Sequence, residues 1–296
     1  MQFLVFILVY PIIWLLSKLP MRVLYVFSDG FFFFFYYVIG YRKKVVFSNI
    51  KMAFPKKSNE EVKTISKKFF KHLTDLIFES VKAFSISKKE VLKRYKYKNP
   101  EVINEIAKQG GSIALVGAHQ ANWEWSTSIP LIAKINCFGA YTKLGNKYFD
   151  KVIKTSRQKF GFHGYKTSET IKGMIENTTK GKQGLYLLLS DQSPRVSKTF
   201  YWSEFLGVKV PIHTGAEMLS KRFNLAVINY TTKKVKRGFY ETEFTLITDA
   251  PRDFEDYQIT DKYLRITEEA ILAQPECYLW SHKRFKHKDK VPAEFL

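Results

Sequence analysis

Cysteine is scarce in this chain of 296 residues, which contains only Cys137 and Cys277. The two are far apart and form no C-x-x-C pattern, so a disulfide framework is not expected. We interpret each as a small buried apolar residue, and we expect the catalytic part of the chain to face a reducing cytoplasm. Metal-ligand spacing is also missing, so no metal is expected. The histidines that show no such spacing are His72, His163, His213 and His287.

Acidic residues are few as well, with 27 Asp and Glu against 48 Lys and Arg, which gives a formal net charge of +21. A charge of this size attracts polyanions: nucleic acid, anionic lipid headgroups or an acidic protein. Recognisable nucleic-acid-binding motifs are absent from the sequence, which argues against a nucleic-acid-binding protein as the competing interpretation. The aromatic content of 16%, by contrast, is high and favours contact with apolar material.

The first seventeen residues, MQFLVFILVYPIIWLLS, carry no charged side chain. They lack the basic start and small-residue cleavage site of a secretory signal peptide. A second apolar stretch, FFFFFYY, follows at residues 31–37. One spanning helix, two interfacial helices and a buried helical hairpin are the open alternatives, and membrane attachment is the one we expect. Basic residues at 18, 22 and 42–44 flank these stretches and predict that the rest of the chain is cytoplasmic.

The sequence therefore predicts a membrane element over residues 1–45 and a catalytic domain over residues 46–296. Ser58 and Glu61 form a capping box that starts an amphipathic helix, which continues to about Phe84. Beyond Pro100, buried-strand patterns alternate with helical patterns, which predicts an α/β domain with a mostly parallel sheet flanked by helices. Strands are predicted at 112–119, 134–141, 184–191, 225–232, 242–249 and 278–280.

The segment GAHQANWE, residues 117–124, directly follows the first of these strands. His119 on the loop and Glu124 on the first helical turn can meet at the carboxyl end of the sheet, where sites form. A carboxylate bonded to one imidazole nitrogen leaves the other nitrogen free to take a proton. Because the segment contains no Ser or Cys, the pair suits a general base acting on a substrate hydroxyl better than a covalent acyl-enzyme. A purely structural histidine is the alternative.

Several blocks of the chain, in order, resemble the late lipid A acyltransferases of the lauroyl and myristoyl type, which have a His-x-x-x-x-Asp/Glu block. GAHQANWE resembles the H-x-x-N-W-E form of that block. Residues 41–62 resemble the region after the membrane anchor, and SDQ at residues 190–192 resembles a D-Q block. FLG at 205–207 with Pro211 and Thr214, and PECYLWSHKRFK at 275–286, resemble the remaining blocks.

The resemblance implies roles for further residues. Arg157 would hold a phosphate or a developing oxyanion, and Gln192 belongs to the same substrate-binding set. Asp191 would bind the acceptor sugar or support the helix that carries the site, and Asn122 would donate to the oxyanion or cap that helix. An anionic headgroup, or alternatively the membrane surface, would contact the closing block. Its candidate residues are His282, Arg284 and Lys286.

The resemblance also implies an acyl thioester of acyl carrier protein as donor, a phosphorylated lipid A precursor as acceptor, and attachment to the bacterial inner membrane. No cofactor is expected, because a thiol is a good leaving group. Departures from the family pattern, such as Ser-Pro-Arg after Gln192, leave other acceptors open. These are an aminolipid, a lysophospholipid, a pigment-linked alcohol, or water in a hydrolase.

Overall fold

The computed structural model describes residues 1–295; Leu296, the last residue of the predicted catalytic domain, lies outside them. The strands are β1 (Tyr95–Tyr97), β2 (Ile113–Gly117), β3 (Cys137–Tyr141), β4 (Phe162–Lys166), β5 (Leu185–Leu189), β6 (Trp202–Phe205), β7 (Val208–Pro211), β8 (Ala226–Lys236) and β9 (Phe239–Thr248). Seven of them form one sheet in the order β1-β9-β8-β2-β5-β3-β4, and β6 and β7 pair separately. Within the large sheet only β8 and β9 are antiparallel, so the predicted mostly parallel sheet is confirmed.

Helices cover both faces of this sheet. They are α1 (Gln2–Lys18), α2 (Met21–Phe33, continued by a π-helical segment to Ile39), α3 (Lys43–Ala53), α4 (Asn59–Ala83), α5 (Lys88–Arg94), α6 (Glu101–Lys108), α7 (Lys147–Gln158), α8 (Thr170–Thr179), α9 (Gly215–Phe223) and α10 (Gln258–Ala273). A 3₁₀ helix, Trp123–Leu131, follows β2.

Strand β2 is buried on both sides, which explains its unbroken apolar sequence. Ile113 and Leu115 point into one core, shared with Ile103 of α6. Ala114 and Val116 point into the opposite core, which also holds side chains of α4, α9 and α10. The loop with His119 thus leaves a strand that is buried between the two cores.

The predicted capping box of α4 is confirmed. The amide of Glu61 donates to Ser58 Oγ at 3.2 Å, and the amide of Ser58 donates to Glu61 Oε2 at 2.8 Å. Two predictions differ from the structure. Residues 278–280 form no strand, only one bridge between Gln120 and Tyr278, and the short strands β1, β4, β6 and β7 were not predicted.

The two N-terminal helices lie against the rest of the chain. Helix α1 is held near its start, where Gln2 Nε2 donates to the carbonyl of Gly145 at 3.1 Å and Phe6 packs on Phe149. Helix α2 runs along α4, with Phe27 stacked on Phe78. The helical stretch Met21–Ile39 is long and apolar enough to cross a membrane, by length and composition only.

Candidate active site

The structure brings His119 together with Asp191 because their strands are neighbours. Gly117, the last residue of β2, lies opposite Leu189, the last residue of β5. Each functional residue comes two positions after its strand, at the same edge of the sheet. His119 Nδ1 lies 2.7 Å from Asp191 Oδ1. The contact assigns the proton of the neutral imidazole to Nδ1 and leaves Nε2 as the free base.

Burial and charge oppose each other in this pair. Burial alone lowers the pKa of His119, but the charge and hydrogen bond of Asp191, with a smaller contribution from Glu124, raise it above its usual value overall. Burial alone raises the pKa of Asp191, whose side chain is 1% exposed, but His119 lowers it below its usual value. The carboxylate is thus held ionised beside the ring, where it can stabilise an imidazolium.

The prediction that Glu124 is the hydrogen-bond partner of His119 is wrong. Glu124 does lie on the first turn of the 3₁₀ helix, as expected, but its carboxylate faces Arg157 of α7. Arg157 Nη2 donates to Glu124 Oε1 at 2.8 Å and to Oε2 at 3.0 Å, and Arg157 Nε donates to Oε2 at 3.2 Å. Guanidinium and carboxylate geometries match in this way, so Glu124 orients Arg157 while Asp191 orients His119.

Asn122 caps the helix, one of the two alternatives raised by the sequence. Its Oδ1 accepts the amide of Trp125 at 3.0 Å, and its Nδ2 donates to Glu79 Oε2 at 2.6 Å. The side chain is fully buried, so the alternative role as an oxyanion donor is wrong. Gln192 does line the site, because its Nε2 lies 3.4 Å from both ring nitrogens of His119.

The anion-binding role predicted for the closing block is wrong for two of its three residues. His282 Nε2 accepts the amide of Ser193 at 3.0 Å, and burial lowers the pKa of His282 to about 4, so the ring is neutral at pH 7. Arg284 is 1% exposed and lies over the ring of Phe205, with its Nη1 donating to the carbonyl of Pro211. Only Lys286 is exposed.

A groove of about 790 Å³ opens at His119. Its floor is the apolar end of β5, Leu187–Leu189, and its walls come from α7, α8, α9 and the 3₁₀ helix. Lys154 and Arg157 lie on the α7 side. The volume lies in the range of small-molecule sites, and the lining mixes apolar side chains with polar and charged ones.

A second, apolar pocket of about 240 Å³ lies behind the Glu124–Arg157 pair. Ile77 and Val81 of α4 line it, together with Tyr10 and Ile13 of α1. Glu124 and Arg157 line both spaces, so the ion pair stands where the groove and the pocket meet.

The model of the bacterial lipid A biosynthesis acyltransferase family matches residues 1–287, almost the whole chain. The chain belongs to this family. As a member it is an O-acyltransferase, and the resemblance drawn from the ordered sequence blocks is confirmed.

Individual relatives of this acyltransferase are distant but match over nearly their full length. The lipid A biosynthesis lauroyltransferase of Escherichia coli K12 is 23% identical over 286 residues, covering 96% of this chain and 92% of that protein. The lipid A biosynthesis palmitoleoyltransferase of the same organism and a lipid A biosynthesis acyltransferase of Shigella flexneri are each 21% identical over 278 residues, 93% of this chain and 89% of theirs.

Proposed function

We propose that this acyltransferase moves a fatty acyl group from the thioester of an acyl carrier protein to a hydroxyl of a phosphorylated lipid A precursor. The observation that carries the proposal is the His119–Asp191 pair beside a partly apolar groove of about 790 Å³, in a chain of the lipid A acyltransferase family. The pair supplies a base, and the groove offers room for acyl chains.

In the proposed reaction, His119 Nε2 takes the proton of the acceptor hydroxyl while Asp191 stabilises the imidazolium. The alkoxide attacks the thioester carbonyl and forms a C–O bond. Arg157, which Glu124 holds at the edge of the groove, faces the oxyanion of the tetrahedral intermediate. The intermediate collapses, the C–S bond breaks, and the thiolate takes the proton from His119. Ester and thiol are the products, and the step needs no cofactor.

Membrane binding is part of the same proposal. Apolar side chains on the outer faces of α1 and α2 are exposed, among them Leu8 (70%), Val26 (71%) and Phe33 (60%). Since both helices pack on α4, and α1 also packs on α7, we propose that the helices lie in the membrane interface rather than span it. The net charge of +21 favours an anionic leaflet, and it also favours an acidic carrier protein. The inner membrane, with the site facing the cytoplasm, is the proposed location.

The direct test is a reconstituted reaction. Purified protein is mixed with acyl carrier protein loaded with chains of different length and with a phosphorylated glucosamine lipid A precursor, and products are identified by mass spectrometry. We expect the addition of one acyl group, and a loss of roughly a thousandfold or more in kcat for His119→Ala. A folded His119→Ala protein with full activity would overturn the mechanism. Free fatty acid released without any acceptor would indicate hydrolysis instead.

A further inference from the structure

Ala121, in the middle of the loop that links His119 to Glu124, has the left-handed backbone conformation, with φ of +51°. For a residue other than glycine this costs about 1 kcal/mol or more, so neighbouring groups must hold it. Its amide donates to the carbonyl of Cys277 at 2.9 Å, and its carbonyl lies 3.2 Å from His72 Nε2. Burial lowers the pKa of His72 to about 3, so this ring is neutral at pH 7.

The next residue, Asn122, uses both ends of its side chain. One end caps the 3₁₀ helix that carries Glu124, and the other donates to Glu79 of α4. Asn122 therefore joins this turn to α4 through the carboxylate of Glu79. Trp125 adds a contact to the same residue, since its Nε1 donates to the backbone carbonyl of Glu79 at 3.1 Å.

Glu79 is itself fixed from two further sides. Tyr25 of α2 donates its hydroxyl to Glu79 Oε1 at 2.8 Å, and Tyr240 of β9 donates to Oε2 at 2.7 Å. The residue is fully buried, and burial raises its pKa to about 7. Burying a carboxylate costs desolvation free energy even when three donors bond to it, and apolar residues fill such space at a lower cost. A carboxylate at this position therefore indicates that the contacts it makes matter.

We propose that Glu79 is the positioning residue of the catalytic loop: through Asn122 it holds the turn at Ala121 and so sets His119 and Glu124 in place. Glu79 does not line the groove among the described residues, so it acts on the reaction only through the loop. The inference rests on the proposed role of His119 as the base. It adds that the helix carrying exposed apolar residues, α2, contributes to the site through Tyr25.

The test exchanges the two partners. Asn122→Asp keeps the cap on Trp125 but places a second carboxylate where 2.6 Å now separates the amide from Glu79. We expect kcat to fall on the order of tenfold to a hundredfold with little change in KM, because a small displacement of reacting groups is costly. Glu79→Gln combined with Asn122→Asp restores a donor facing an acceptor, and we expect kcat within about threefold of the starting enzyme.

Amide hydrogen exchange of residues 118–125 gives a readout that needs no substrate. Exchange should be faster in Asn122→Asp and return towards the starting rate in the exchanged pair. This arm separates failure of the positioning inference from failure of the proposed reaction. If Asn122→Asp does not fold, Glu79→Leu and Glu79→Gln take its place, with faster loop exchange and lower kcat expected only for Glu79→Leu.

Glu268 provides a matched control, because it also is a buried glutamate that holds a left-handed residue. It accepts the amide of Leu206, which has φ of +53°, in the turn between β6 and β7. Glu268→Leu should lower the Tm but leave kcat per folded molecule and exchange of residues 118–125 unchanged. The inference is overturned if Asn122→Asp keeps normal kcat and exchange, or if the exchanged pair stays as impaired as the single variant.

Discussion

The contact between His119 Nδ1 and Asp191 Oδ1 decides what the imidazole can do, because it sets the tautomer and the pKa together. A base with a raised pKa is more strongly driven to take a proton from an alcohol. It is also protonated, and therefore inactive, over a wider range of acid pH. Both effects come from one buried carboxylate.

Asp191→Asn should change the rate in two ways. Losing the charge that stabilises the imidazolium should lower the plateau of kcat/KM by roughly a hundredfold or more. The base works only when neutral, so the acid limb of the profile reports the pKa of His119. Because Asp191 raises that pKa, its loss should move the limb to lower pH. Asp261→Asn, which removes a carboxylate bonded to Tyr201, should leave the profile unchanged.

Glu124 and Arg157 should behave as one unit. Arg157→Lys removes the two-atom contact with Glu124 and should lower kcat about tenfold or more, and Glu124→Gln should do the same. The double variant should lose little beyond either single variant, because each change breaks the same contact. Strictly additive losses, measured as kcat/KM in a double-mutant cycle, would contradict this coupling.

At the scale of residues, the sequence predicted four side chains that the structure does bring together, but it paired His119 with the wrong carboxylate. His119, Glu124, Arg157 and Asp191 all lie at one site, but short separation along the chain favoured Glu124 as the partner of His119. The true partner is 72 positions away and became a neighbour only because β2 pairs with β5. The burial of Arg284 could not be predicted, because its neighbours in the closing block are also basic and such a block is typical of an exposed surface.

Among the elements, α4 supplies His72 and Glu79, which contact the loop between His119 and Glu124. The sequence predicted α4 as an amphipathic helix, but its apolar residues Leu73, Ile77 and Val81 are only half-buried, whereas Asp75 and Glu79 are buried. Burial of Asp75 and Glu79 was not predicted, because α2 packs on the side of α4 that a surface helix would leave to solvent. The sequence predicted most of the long elements. The strands β1, β4, β6 and β7 were missed, because each is only three to five residues long and contains polar residues.

The pocket between α1, α4 and α7 gives a prediction for these elements. If the end of the donor acyl chain lies there, Val81→Phe should make the pocket shorter and shift the preference of the enzyme to donors with shorter acyl chains. Each methylene in such a pocket is worth about 1–3 kcal/mol, so ratios of kcat/KM between chain lengths should change by about tenfold or more. Leu272→Phe, a substitution at an exposed position of α10, is the control and should leave the chain-length preference unchanged. An unchanged chain-length profile would place the acyl end elsewhere.

At the scale of the whole molecule, one face is apolar and the chain is strongly basic. Glutamate at Leu8 and Val26 should weaken binding to vesicles with anionic lipid, while the fold is kept because both side chains are already exposed. Binding should also weaken with added salt. Leu246→Glu, an exposed position on β9, should have no effect in the same sedimentation assay. Equal vesicle binding by the original chain, by the variant with glutamate at Leu8 and Val26, and by Leu246→Glu would contradict the proposed membrane face.

The most direct measurement is mass spectrometry of lipid A from cells that lack this protein, compared with cells supplied with the original chain or with His119→Ala. We expect lipid A missing one acyl chain in the deletion cells and in the His119→Ala cells, and full acylation with the original chain. Unchanged lipid A in the deletion cells, with an acyl group missing from a different lipid, would contradict the proposed acceptor.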